Sequence, residues 1–115
     1  MVEVRRPADG ELCGFVVEDE RDGAWRSLAV FGGVIGRHRS RATAERDVLD
    51  RGLASLAMRW LLVDVAAGSD DVVCIQEARP GRVTVALAPY SLPGVPTRTL
   101  TSEELARGEV ELRLP

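Results

Sequence analysis

The chain has 115 residues, 45% of them hydrophobic and 29% charged, the proportions of one soluble domain large enough to bury a core without staples. A formal net charge of −3 excludes any general attraction to nucleic acid or anionic membrane, so binding of either kind needs a local patch. No apolar run approaches the ~20 residues of a membrane span, and the start, Met1 to Arg6, lacks the apolar centre of a signal peptide, so the expected location is the cytoplasm.

In chain order, residues 1–10 end in Pro7-Ala8-Asp9-Gly10 and read as a flexible arm, followed by a single domain over 11–115. Residues 11–18 alternate Cys13, Phe15 and Val17 against Leu12, Gly14 and Val16, a strand apolar on both faces. Asp22-Gly23 marks a hairpin turn into a second strand at 25–31. Gly32-Gly33 turns the chain again into a short third strand at 34–37.

Residues 40–66 then read as one long amphipathic helix. Ala44, Val48, Leu49, Leu53, Leu56, Ala57 and Trp60 recur at steps of three and four, Ser40 suits the N-cap, and Gly68 suits the C-cap. Thr43 stands where a capping box needs Glu or Gln. Asp47 and Arg51 form a favourable pair on the outer face, and Gly52 implies a kink or a close packing contact. Residues 60–67 are apolar enough to be a buried strand instead, an alternative that periodicity leaves open.

Strands follow at 72–77 and 83–88, joined through Arg79-Pro80-Gly81, a turn signal with Pro and Gly at its centre. Residues 89–99 hold three of the six prolines and read as an extended loop. Thr101 and Glu104 form a capping box for a short helix ended by Gly108, and residues 109–114 close the chain as an alternating strand. The fold class is therefore α+β: an antiparallel sheet in the order β-β-β-α-β-β-short α-β, with one long helix packed on one face. Because several strands are apolar on both faces, the second face needs cover, and a homodimer is the expected source.

Few residues suggest chemistry. Glu18-x-Glu20-x-Asp22-Gly23 imitates the start of a calcium loop, but Ala29 stands where the closing bidentate acid belongs. Val34-Ile35-Gly36-Arg37 resembles the nucleotide-clamping loop of KH domains, yet Arg39 replaces the second glycine and a strand precedes it where a helix should. The outline of three strands and a helix also resembles HicB-like antitoxins, without their Pro-Gly stretch or their DNA-binding helix pair.

The basic turn stands apart from these. Arg37, Arg39, Arg41 and Arg46, with His38 among them, lie at a helix N-terminus and form the candidate seat for an anion or a partner protein. The alternative is that they pair with the acidic tip at 18–22. Tyr90, beside the proline-rich loop, is a candidate contact residue. All fifteen basic residues are Arg, a mark of a GC-rich genome before one of selected Arg chemistry. His38 is the only histidine, so a zinc site lacks ligands, and no catalytic residue, metal or cofactor is expected. Cys13 and Cys74 are expected as free, buried thiols. The expected function is a non-enzymatic binding or protein-interaction domain acting as a homodimer. A nucleic-acid module using the Arg37–Arg46 turn is the alternative.

Overall fold

The computed structural model describes all residues, 1–115. Two antiparallel meanders make one sheet. The first is β1 (Val2–Arg5), β2 (Leu12–Glu18), β3 (Trp25–Leu28) and β4 (Val34–His38). The second is β5 (Arg59–Asp64), β6 (Ser69–Arg79), β7 (Arg82–Ala86) and β8 (Thr97–Thr101). Between them lie α1 (Arg41–Arg51) and a 3-10 turn (Ala54–Ala57); after them come α2 (Ser102–Arg107) and β9 (Val110–Arg113). The nine strands run β1-β2-β3-β4-β9-β5-β6-β7-β8, curled into a half-barrel. The last strand thus stitches the two meanders together, parallel to β4 and antiparallel to β5.

The α+β class holds, while the strand order departs from expectation in three places. Residues 2–5, read as an arm, form β1, because Val4 alternates inward and is buried with Val16 against α1. The helix read through residue 66 stops at Arg51. Gly52 packs so tightly that a Cβ there would overlap the carbonyl oxygens of Cys13 and Val48. Ser55 Oγ then donates to the Gly52 carbonyl at 2.7 Å, and Trp60 Nε1 donates to the Ser55 carbonyl at 2.9 Å, so the chain turns instead of continuing. Residues 59–64 become a strand hydrogen-bonded on both sides, where β-favouring Leu62 and Val63 gain a full ladder. Lastly, residues 97–101, read mostly as loop, form β8, with Leu100 fully buried. The sheet is mixed, not wholly antiparallel, because β9 enters beside β4.

Two cores result. One lies between α1 and the first meander: Val4, Cys13, Val16, Ala44 and Val48. The larger fills the curl of the second meander with Trp60, Leu62, Val73, Val83, Val85, Leu100 and Leu112. The β3–β4 connection plugs it: Ala29 and Phe31 are fully buried, and Phe31 meets Trp60 edge-to-face with ring centroids 5.1 Å apart. The caps read from sequence are present: Ser40 accepts from the Thr43 N–H, and Thr101 with Glu104 makes the reciprocal capping box. Both thiols are free; Cys13 is buried and Cys74 half-buried. No helix is long and apolar enough to cross a membrane.

Candidate functional site

Strand alternation sorts the first meander's side chains onto two faces. On the α1 face of β3 and β4 lie Ser27, Gly36 and His38; on the other lie Arg26, Leu28 and Arg37. Each face carries a polar constellation.

On the α1 face, Ser27, His38 and Asp47 meet. Ser27 Oγ donates to Asp47 Oδ2 at 2.6 Å, and His38 Nε2 lies 2.9 Å from the same oxygen and 3.2 Å from Ser27 Oγ. Arg51 adds a two-point contact, Nε to Asp47 Oδ1 at 2.6 Å and Nη2 to Oδ2 at 3.0 Å. Burial pushes the Asp47 carboxyl up, but the hydrogen bonds from Arg51, Ser27 and His38 together outweigh it and hold the pKa at about 2. An ionised Asp47 only accepts, so His38 Nε2 must carry the proton it donates. Ser27 spends its own proton on Asp47, leaving His38 nothing to abstract. A nucleophilic serine needs the reverse polarity, with its hydroxyl donating to a basic ring nitrogen. Ser27 is also fully buried, out of reach of any substrate. These three residues therefore anchor α1 to the sheet. Gly36 makes room for them, since a Cβ there would stand 3.0 Å from Asp47 Oδ2 and 3.2 Å from His38 Nε2.

On the opposite face a groove of about 680 Å³ runs between β2–β4 and α2. Val17, Leu28, Val34, Leu105 and Leu112 give it apolar walls, and Arg26, Arg37 and Arg21 bring positive charge. Arg37 is committed: it donates to Asp19 at 3.2 Å and to Asp22, and the Asp19 and Asp22 carboxylates hold its pKa above the ordinary arginine value. Arg26 is not. It is half-buried, its Nε is shut off from solvent, and that nitrogen has no hydrogen-bond partner. Comparisons with protein-family models, with curated proteins and with solved structures returned no match.

The residues singled out in the sequence do not converge. Arg37 faces the groove and closes onto the acidic hairpin tip, as the sequence alternative had it. His38 faces α1. Arg41 pairs with Glu45 at 2.7 Å and lies over the Trp25 ring, its guanidinium carbon 5.8 Å from the centroid. Arg39 and Arg46 are exposed. Tyr90 is 54% exposed on the loop before β8, apart from the groove lining. The sequence reading missed Ser27, Asp47 as a buried acceptor, and Arg26. For Arg26 a signal existed: it is the one charged residue in the stretch Trp25 to Phe31, where every other residue except Ser27 is apolar or aromatic. No three His, Cys, Asp or Glu side chains gather as a metal site requires.

Proposed function

We propose that this chain is a small non-enzymatic binding domain, acting as a homodimer, whose ligand seat is the groove between β2–β4 and α2. The observation that carries this reading is the groove itself, with apolar walls and a few polar groups at a volume within the ~300–1,000 Å³ of small-ligand sites. The inverted hydrogen bonding around Ser27 supports a non-catalytic role, since the one cluster with a nucleophile, a base and an acid uses all three to hold α1. The cytoplasm is the proposed setting.

A second reading, a nucleic-acid module on the Arg37–Arg46 turn, is favoured only by the exposure of Arg39 and Arg46. With Arg37 and Arg41 engaged by carboxylates, two cations remain for phosphate, a weak anchor on a chain of net charge −3. The test is amide-resolved NMR titration with a library of small apolar-polar compounds and, separately, a short single-stranded oligonucleotide. Shifts clustered on Val17, Arg26, Leu28, Leu105 and Leu112 with the compounds support the groove. Shifts with the oligonucleotide alone, at Arg39 and Arg46, replace it with the second reading. A library that leaves the groove resonances unmoved defeats the proposal.

A further inference from the structure

Resting on the groove reading, we propose that the groove's ligand is a small monoanionic amphiphile, a carboxylic acid with an apolar body, whose head group is held by Arg26. A guanidinium never loses its charge at ordinary pH, so one set inside a protein wall is costly unless something meets it. Arg26 lines the groove, its Nε has no partner, and no carboxylate oxygen comes within 4.0 Å of its nitrogens. Its position makes matters worse. Arg26 stands directly across from Arg37 in the β3–β4 ladder, and like charges in cross-strand register repel. The chain answers that repulsion for Arg37 with Asp19 and Asp22 and leaves Arg26 unanswered. An anion in the groove, meeting the terminal guanidinium nitrogens because Nε itself is shut off from solvent, would complete the pair of ion pairs.

Three features narrow the anion. Val17 is in register with Arg26 on one side, and Leu28, Val34, Leu105 and Leu112 extend the apolar wall, so the ligand carries an apolar body. Glu20 and Glu111 share the lining, and their negative charge opposes nucleotides and other multiply charged anions. A single carboxylate is the charge that one planar fork of N–H donors satisfies. The volume of about 680 Å³ suits a molecule of drug or fatty-acid size, not a folded partner.

The experiment uses the full chain with decanoate as the anionic probe, decanol as its neutral counterpart and inorganic phosphate as a bare anion. Calorimetry would measure affinity, and NMR would follow the Arg26 Nε–Hε resonance. Decanoate should bind at least tenfold more tightly than decanol and shift that resonance, while phosphate should leave it in place. Arg26→Gln should weaken decanoate at least tenfold, leave decanol within about twofold, and not lower the urea midpoint, because it removes an unmatched charge. Arg26→Lys should keep part of the preference for the acid. If both C10 probes bind in the groove equally and Arg26→Gln changes neither, the anion anchor is wrong and the groove reading stands. If phosphate binds at Arg26 more tightly than decanoate, the amphiphile is wrong. If no probe moves a groove resonance, both readings fall together.

Discussion

Asp47 is the residue on which the first half of the molecule turns. Its two oxygens take hydrogen bonds from a strand (Ser27), from the end of the next strand (His38) and from its own helix (Arg51), so one side chain fixes three segments. Its pKa, about 2 in the fold against an ordinary 3.8, states the sign of its contribution. A carboxyl depressed on folding stabilises fully above its unfolded value and loses that stabilisation as pH falls toward the folded one. Asp47→Asn should therefore cost about 1–3 kcal/mol at neutral pH, the scale of a charged hydrogen-bond acceptor lost from a mostly buried site. The gap from wild type should stay flat above about pH 5 and close between pH 4 and 2. Urea titration at a series of pH values reads this, and a gap independent of pH would show that Asp47 is not ionised in the fold. Asp9 is also held at about 2, but on the surface and in both proteins, so it cancels in the difference.

Among the elements, α1 and the segment after it show what local signals can and cannot carry. Ser40, Thr101, Gly108 and the Pro80-Gly81 connection are readable because a cap or a tight turn is decided within four residues. The stretch from Gly52 to Asp64 is not, because Trp60-Leu61-Leu62-Val63 is apolar without a period and suits either a helix or a central strand. What decides it is the Cys13 carbonyl, contributed by β2 some forty residues earlier. β8 was hidden for a related reason: the prolines at 93 and 96 dominate its neighbourhood, while its pairing with β7 is non-local. The candidate site was less legible still. Pairing of Arg37 with the acidic tip follows from neighbouring hairpins, whereas the Ser27–Asp47 contact and the groove exist only after α1 and α2 have docked. Gly52 offers the sharpest check. Its φ of −53° is ordinary helix, where Gly→Ala commonly gains up to ~1 kcal/mol. Here the added methyl would meet two backbone carbonyls, so Gly52→Ala should instead lose about 1–3 kcal/mol in a urea titration. A gain would mean that the turn between α1 and β5 has slack that its packing denies.

At the scale of the whole molecule, the two helices and the two faces of the sheet do not balance. α1 covers the first meander, and α2 lies against β8 and β9. Neither covers the outer face of β5 and β6, where Leu61, Val63 and Val72 stand opposite the buried Trp60, Leu62 and Val73. Val72 is 42% exposed and nearby Val65 64% exposed. Around them, in register, sit Arg113 beside Leu61 and both Glu111 and Asp70 beside Val63. A patch with an apolar centre and both charge signs at its margin is self-complementary under a two-fold axis, which can set Arg113 of one protomer near the acids of the other. The proposed homodimer would use this face, which meets the groove lining at Glu111. Light scattering at micromolar concentration should give twice the chain mass of 12.5 kDa. Val72→Arg, which places like charges against each other across the axis, should return the monomer without unfolding it, since Val72 contributes little to the core. Sodium chloride at 1 M should weaken the dimer little, because apolar contact rather than ion pairing supplies most of its stability. A wild-type monomer at these concentrations would remove the dimer from the proposal, and a dimer that survives Val72→Arg would place the interface on another face.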